Sequence, residues 1–209
     1  MLGLLVKAAL LVALLTVARA VIADQYHVPT PSMAPTIQPG DRIFVSKAAF
    51  GVRLPFTTHS LIDLGGPEVG DVIIFSDPRG GPISLVKRVV ALEGQTVHLE
   101  GGVLWIDGVR QRLEELPDGT VLEHLGKQVH AAGEPDMVDF GPYRVPPGHI
   151  FVMGDNRATS LDSREIGPVS RDLLRGKVVG IVYGNTPSRR LRALDTISPE
   201  PQVAWAGAR

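Results

Sequence analysis

The sequence contains no cysteine, and aromatic residues make up only 5% of it. The absence of cysteine excludes disulfide bonds, cysteine-ligated clusters and a thiol nucleophile. Lysine and arginine together number 21 against 22 aspartates and glutamates, so the chain lacks the basic excess that is typical of nucleic-acid-binding proteins. With 209 residues, 44% of them hydrophobic, the chain is long enough for one domain with a substantial core.

Two common catalytic signatures are also missing. There is no G-x-S-x-G sequence, which marks the nucleophile of many serine hydrolases, and no H-E-x-x-H sequence, which marks many zinc peptidases. We therefore expect no bound metal. A Ser-His-Asp hydrolase stays an alternative, because histidines are present at positions 27, 59, 98, 124, 130 and 149.

A long hydrophobic run occurs at the N-terminus. Residues 2–22 are apolar except for four positions, and the charged ones, Lys7 and Arg19, lie near the ends, where their side chains could reach the membrane interfaces. As a helix, this segment would span roughly 32 Å, about the thickness of a bilayer's hydrocarbon core. We therefore predict a membrane anchor over residues 1–23. The alternative is a secretory signal that is cleaved after Ala20.

After residue 24 the pattern favours β-strands. Short β-branched segments alternate with glycine, proline, aspartate and asparagine, and no long segment keeps a helical period. The predicted strands are Arg42–Lys47, Asp71–Ser76, Ser84–Leu92, Thr96–Glu100, Val103–Asp107, His149–Met153 and Lys177–Tyr183. We expect a mainly β domain of coiled antiparallel sheets or a barrel over residues 24–184. The more polar residues 95–145 are predicted to form an extension, and 185–209 a flexible tail.

Three segments carry groups suited to chemistry. In the first, Pro29, Pro31 and Pro35 restrict the backbone around Ser32, which would hold its hydroxyl in a set position. The alternative is a simple connector, since serine and proline are ordinary loop residues.

The second segment is the predicted strand that contains Lys87. Alternation places Lys87 on one face with Leu85, Val89 and Ala91. Burial among apolar side chains lowers a lysine pKa from its usual value of about 10.4, which a lysine requires to act as a general base at neutral pH. The alternative is an exposed lysine that protects a sheet edge.

The third segment runs from Gly154 to Gly167, directly after a predicted strand. It combines charged groups with hydroxyls in one loop, namely Asp155, Arg157, Asp162, Arg164, Thr159, Ser160 and Ser163. This density of ion-pair partners favours a functional loop over a solvated connector.

Together and in this order, these features resemble the conserved boxes of the bacterial type I signal peptidases, or leader peptidases. The matching segments are Pro29–Ile37, Gly40–Lys47, Lys87–Gly94 and Gly154–Gly167. The resemblance implies a membrane-bound serine endopeptidase with a Ser-Lys dyad and no cofactor. Its implied partners are signal-peptide-bearing preproteins and membrane lipid, and its implied place is the cytoplasmic membrane, with the catalytic domain on the extracytoplasmic side.

The resemblance also implies roles for individual residues. Ser32 matches the nucleophile and Lys87 the general base, while the Thr30 hydroxyl and the Ser32 N–H match the oxyanion hole. Ser160 matches a hydroxyl that orients the lysine amine. The remaining matches are the supporting ion pairs Asp162–Arg164 and Asp155–Arg88, and the substrate-pocket residues Tyr26, Val28, Met33, Ile37 and Val86.

Two further alternatives stay open beside this family. A conjugative-transfer pilin peptidase would use the same Ser-Lys chemistry on other substrates. A membrane-tethered β binding module would not need the dyad, and its Ser32 and Lys87 would lie far apart.

Overall fold

The computed structural model describes residues 7, 23–50, 52–53, 60–62, 65–133, 136–183 and 192–193. Antiparallel β-structure dominates these residues. The strands are β1 (Ala23–His27), β2 (Arg42–Ser46), β3 (Val52–Arg53), β4 (Ser60–Ile62), β5 (Val72–Ser76), β6 (Ser84–Leu92), β7 (Thr96–Glu100), β8 (Val103–Ile106), β9 (Val109–Arg110), β10 (Leu113–Glu115), β11 (Val121–Leu125), β12 (Gln128–Ala131), β13 (Phe140–Arg144), β14 (His149–Met153), β15 (Val169–Ser170), β16 (Leu174–Tyr183) and β17 (Arg192–Ala193).

Helical segments are short in the described part of the chain. Helix α1 covers Ser163–Ile166, and the 3-10 turns are Pro31–Met33, Lys47–Phe50, Arg157–Thr159 and Arg171–Leu173. No helix formed by the described residues has the length and apolar character needed to cross a bilayer.

The largest sheet has the strand order β1-β2-β16-β5-β6-β14-β15, and β17 also pairs with β16. Strands distant in sequence thus become neighbours. Strand β6 lies between β5 and β14, with Ile73 opposite Lys87 on one side and Met153 opposite Arg88 on the other. This order places β1, β6 and β14 in the same sheet, and the loops after β1 and β14 extend from it.

Two smaller sheets arise between residues 96 and 144. One has the order β13-β7-β8-β9 and the other β10-β11-β12. A tight hairpin joins β7 to β8, and its two residues, Gly101 and Gly102, have φ values of 54° and 78°. Glycine adopts these positive φ values without a steric penalty, which favours this type of turn.

Three apolar clusters form the core. One contains residues of both smaller sheets, such as Leu99 and Leu125, together with Phe151 and Met153 of β14. A second surrounds the loop after β1, and a third lies around β5, β6 and β14. The first cluster therefore packs the smaller sheets against the large one.

The predicted mainly β, antiparallel architecture is confirmed, and all seven predicted strands are present with ends that differ by at most three residues. The other strands of the described residues, β1, β3, β4, β9–β13, β15 and β17, were not predicted, because they are short or polar. The predicted anchor, residues 1–23, lies outside the described residues except for Lys7 and Ala23. The predicted flexible tail, residues 185–209, also lies outside them except for Arg192–Ala193, which form β17.

The packing of β11 against the large sheet gives a stability prediction. Leu125 is fully buried in the first cluster. We expect Leu125→Ala to lower the free energy of unfolding by about 2–5 kcal/mol, because it removes buried methyl groups and leaves a cavity. Chemical denaturation of the folded chain measures the change.

The matched control is Val129→Ala on the neighbouring strand β12, where the side chain is 42% exposed. It should change the free energy of unfolding by no more than about 0.5 kcal/mol. Equal effects of the two substitutions would contradict the packing of β11 into the core.

Candidate active site

Ser32 lies in the loop that follows β1. The chain turns through the 3-10 helix Pro31–Met33, and the N–H of Ile37 donates to the carbonyl of Met33 at 2.9 Å. Met33 and Ile37 are almost completely buried in the second cluster. Because proline restricts the turn and two apolar side chains anchor it, the backbone of Ser32 is held in place.

Lys87 extends from β6 to meet Ser32. Its Nζ lies 2.7 Å from Ser32 Oγ and donates a second hydrogen bond to the Val86 carbonyl at 2.9 Å. Lys87 is 3% exposed and Ser32 is 8% exposed. The interpretation of Lys87 as an exposed edge lysine is therefore wrong. The structure brings the two predicted catalytic residues into direct contact in a site largely closed to water.

Burial changes the acid–base properties of this lysine. Desolvation lowers the pKa of Lys87 to about 8, although the negative charges of Asp162 and Asp155 oppose the shift. At pH 7 about a tenth of the amines are then uncharged, against fewer than about one in a thousand for a lysine of ordinary pKa. An uncharged amine has a lone pair that can accept the Ser32 proton.

The Thr30 hydroxyl lies beside the Ser32 hydroxyl. Its Oγ1 is 3.4 Å from Ser32 Oγ, and the residue is exposed. A hydroxyl at this position can donate to an oxygen of a group that reacts with Ser32. Its predicted part in an oxyanion hole stays a prediction.

Ser160 lies close to the Ser32 backbone without a hydrogen bond to Lys87. Its Oγ is buried and forms no hydrogen bond in the described part of the chain. Both Ser160 Oγ and the Ser32 carbonyl oxygen lie so near Gly154 that a side chain there would overlap them. The second hydrogen bond of Lys87 goes to Val86 instead, so the predicted orienting bond from Ser160 is absent from this arrangement.

Asp155 and Arg88 form a buried ion pair behind the site. The Arg88 Nε and Nη2 groups each donate to an Asp155 oxygen at 2.7 Å, and the Thr36 hydroxyl donates to Asp155 Oδ2 at 2.5 Å. Burial alone would raise the pKa of Asp155, but the charge of Arg88, the neighbouring His130 and the hydrogen bonds from Arg88 and Thr36 together lower the pKa to about 2. Asp155 is therefore a carboxylate at neutral pH and helps to fix the loop after β14.

The second predicted pair, Asp162 and Arg164, closes the same loop. Arg164 Nε donates to Asp162 Oδ1 at 2.8 Å and Nη2 to Oδ2 at 2.9 Å. Asp162 is completely buried and also accepts the N–H of Gly154 at 2.9 Å. These bonds connect helix α1 to the start of the loop.

The five predicted pocket residues share one apolar cluster. Val28, Met33 and Ile37 are buried members of the second cluster, and Tyr26 and Val86 pack against it while partly exposed. Only the last two therefore present appreciable surface to a ligand, while the buried three support them. Their predicted contact with substrate side chains stays a prediction.

Three buried polar residues beside the site were given no role from the sequence. Glu123 of β11 bonds to both Nη groups of Arg157, and His130 of β12 lies opposite Glu123 in the strand register. His130 Nε2 is 3.3 Å from Glu123 Oε2 and 3.6 Å from Asp155 Oδ1, without hydrogen-bond geometry. The sequence signal for Glu123 was its spacing. It stands two residues from the apolar Val121 and two from the apolar Leu125, which places it on their face of a strand.

Burial and neighbouring charges shift the pKa values of Glu123 and His130. Burial by itself would raise the pKa of Glu123, but the charge of Arg157 and the proximity of His130 lower it to about 2. Burial, followed by the charge of Arg88, lowers the pKa of His130. At neutral pH Glu123 and the neighbouring Asp155 are therefore carboxylates, and the His130 imidazole is uncharged.

Comparisons with known proteins identify a family and several relatives of this chain. The family profile described as "Signal peptidase, peptidase S26" matches residues 1–183. Signal peptidase I of Pseudomonas aeruginosa is 36% identical over 165 residues, which cover 71% of this chain and 57% of that protein. Signal peptidase I of Pseudomonas fluorescens is 34% identical over 207 residues, or 90% of this chain and 70% of that protein.

A crystal structure of a signal peptidase I from Enterococcus faecalis V583 is also similar. It shares 29% sequence identity with a TM-score of 0.40, over 54% of this chain and 97% of that chain. The profile match spans most of the sequence, including Ser32 and Lys87. The chain therefore belongs to the S26 signal peptidases, a family of serine endopeptidases.

Proposed function

We propose that this chain removes N-terminal signal peptides from exported preproteins, cleaving after small residues. The observation that carries the proposal is the 2.7 Å contact between Lys87 Nζ and Ser32 Oγ in a buried site. The relatives named Signal peptidase I support this substrate class. A tethered β binding module is disfavoured, because it gives no reason for this contact.

Acylation begins when Ser32 Oγ attacks the carbonyl carbon of the scissile peptide bond. The uncharged amine of Lys87 accepts the hydroxyl proton as the new C–O bond forms. The negative charge on the tetrahedral oxygen is stabilised by the Thr30 hydroxyl and the Ser32 N–H. Loss of one such donor typically costs about 2.7–4 kcal/mol of transition-state stabilisation. The Lys87 ammonium then protonates the leaving amine as the C–N bond breaks.

Deacylation repeats these proton transfers with water. Lys87, again uncharged, takes a proton from a water molecule that attacks the acyl-enzyme carbonyl, and then returns a proton to Ser32 Oγ. The hydrogen bond to the Val86 carbonyl keeps the amine directed at the reaction centre during both steps.

The proposed location follows from the substrate. A preprotein is held in the membrane by the apolar core of its signal peptide. An enzyme anchored through residues 1–23 in the cytoplasmic membrane, with its β domain on the extracytoplasmic side, would meet the cleavage site where it emerges. The apolar composition of residues 2–22 supports this anchor.

Substitutions of the dyad give the first functional prediction. We expect Ser32→Ala and Lys87→Met each to lower preprotein cleavage by roughly ten-thousand-fold or more, because neither new side chain can attack or accept a proton. Gel or mass analysis of preprotein turnover measures the loss. Lys127→Met, at an exposed turn, is the matched control and should retain full activity.

Near-normal turnover by either dyad variant would remove that residue from the mechanism. A panel that compares signal-peptide-bearing preproteins with pilin precursors decides the substrate class. Preferential cleavage of the pilins would favour the conjugative-transfer alternative.

The pH dependence gives a second prediction. Because only uncharged Lys87 can act as a base and its pKa is lowered to about 8, activity should be low below pH 7. It should rise as pH increases through about 8 and then level off while the fold persists. The quantity to measure is kcat/KM for a short peptide substrate from about pH 6 to about pH 10, because the lowered lysine pKa lies within this range and the ordinary value of about 10.4 lies above it. A limb that rises only above about pH 10 would contradict a depressed lysine.

The fate of the N-terminal segment is a third prediction. We expect the mature protein to retain residues 1–23 and to sediment with membranes, remaining there after washing with high salt, because apolar burial does not depend on ionic strength. Mass spectrometry of the intact protein from membranes measures this directly. A mature chain that begins at Val21 would show a cleaved signal instead.

A further inference from the structure

Buried polar contacts connect the region between β8 and β13 to Ser32. Glu123 and His130 lie directly opposite each other on β11 and β12. Their side chains are 2% and 4% exposed and point into the catalytic domain, at the loop after β14. Both residues lie outside the sequence segments that match the signal peptidase boxes.

Glu123 compensates the charge of Arg157. The Arg157 guanidinium is 6% exposed, its Nη1 donates to Glu123 Oε1 at 3.2 Å, and its Nη2 contacts Oε2 closely. A two-bond pairing of this kind fixes the orientation of the guanidinium as well as its charge. A buried guanidinium without its carboxylate would be strongly unfavourable, so Arg157 depends on β11 to stay where it is.

Arg157 in turn holds the loop of residues 154–157. Its Nε donates to the Gly154 carbonyl at 3.0 Å, and its own carbonyl accepts from Arg164 Nη2 at 2.7 Å. The side chain of Arg157 therefore closes this loop on itself. Its backbone connects the loop to the ion pair made by Arg164.

The same loop touches the backbone of the nucleophile. The N–H of Asn156 donates to the Ser32 carbonyl at 3.2 Å, and Gly154 packs directly against that carbonyl oxygen. Two residues after the end of β12, the N–H of Gly133 donates to the Asp155 carbonyl at 2.9 Å. A side chain on Gly133 would come within 2.6 Å of the Ala34 carbonyl oxygen. The segment just after β12 thus lies against both the loop of residues 154–157 and the segment that carries Ser32.

We propose that Glu123 is a positioning residue for Ser32, acting through Arg157 and the loop of residues 154–157; the proposal rests on the nucleophilic role of Ser32 given above. Glu123 touches neither the substrate nor Lys87. It keeps the Asn156 N–H on the Ser32 carbonyl, and so keeps Oγ at hydrogen-bond distance from the lysine amine. Small misplacements of a reacting atom have large effects on rate, about a hundredfold for 1 Å.

The test follows the reaction of Ser32 itself rather than peptide cleavage alone. The full chain in detergent is treated with a small aryl carbamate, which transfers a carbamoyl group to an activated serine. Intact-mass spectra give both the rate constant and the final fraction of modified protein. The Ser32→Ala variant must remain unmodified, which assigns the adduct to Ser32.

We expect Glu123→Gln to lower the carbamoylation rate constant roughly ten- to a hundredfold while the final modified fraction stays near that of the unaltered chain. Reversible loss of stability would lower the observed rate constant only by the fraction of folded molecules, so circular dichroism of the variant must show that most of it is folded. For preprotein cleavage, kcat should fall by a similar factor, with KM changed by less than about twofold.

Glu114→Gln is the matched control. Glu114 lies on β10 of the same sheet and is paired with Arg112 and His124, but its side chain is 40% exposed. This variant should react at the rate of the unaltered chain. An equal loss in Glu114→Gln would overturn the proposal, because the effect would then belong to the sheet as a whole.

A folded Glu123→Gln variant with an unchanged rate constant also overturns the proposal. If that variant does not fold, Glu123→Asp decides, since it keeps the charge beside Arg157 but withdraws the carboxylate by one methylene. A lowered rate constant supports positioning, and an unchanged one overturns it. Ser32 that is carbamoylated normally in a chain unable to cleave preproteins would refute the proposed function alone.

Discussion

The chemistry of the contact between the Lys87 amine and the Ser32 hydroxyl depends on keeping water away from the lysine. A lysine with free access to solvent would stay protonated, and the 2.7 Å contact would then be only an ordinary hydrogen bond from a cation. Burial of Lys87 beside β5 and Ser32 lowers its pKa, so that part of the amine population is uncharged at neutral pH. The rest of the described structure can be understood as the means of holding two such groups together in a closed site.

Two buried carboxylates near Lys87 oppose the lowering of its pKa. Asp162 and Asp155 both favour the ammonium form of Lys87, yet both are needed to shape the loop after β14. Each is paired with an arginine, Arg164 for the first and Arg88 for the second, which offsets much of its negative charge. The ion pairs therefore serve two purposes: they shape the loop and they limit the field that would otherwise keep Lys87 charged.

The two smaller sheets contribute to the same arrangement from outside the large sheet. Leu125 joins the core cluster that contains Phe151 and Met153, so β11 is fixed to the strand that leads into the loop. Two residues earlier on the same strand, Glu123 meets Arg157. Apolar packing and a buried ion pair thus act on positions two residues apart on one strand. This combination connects a polar hairpin region to the loop that contacts Ser32, about ninety residues away in sequence.

The sequence by itself determined the local elements and the chemical identities at the site. Seven strands were evident from short β-branched segments between turn residues, because strand periodicity and turn chemistry are local properties. The order of the motifs indicated Ser32 and Lys87. The sequence could not decide whether Lys87 was buried, since alternation defines a face but does not say what covers it.

Only the tertiary structure decided which distant groups meet. The register of β11 against β12 and the packing of both beside the loop of residues 154–157 bring Glu123 to Arg157, which no local pattern encodes. The same holds for Ser160, which lies beside Gly154 while the lysine bonds to Val86. Residues separated by 55 positions, as Ser32 and Lys87 are, come within 2.7 Å through the strand order of the large sheet. Such distances follow from the packing of the whole chain, because each depends on every strand pairing between the two residues.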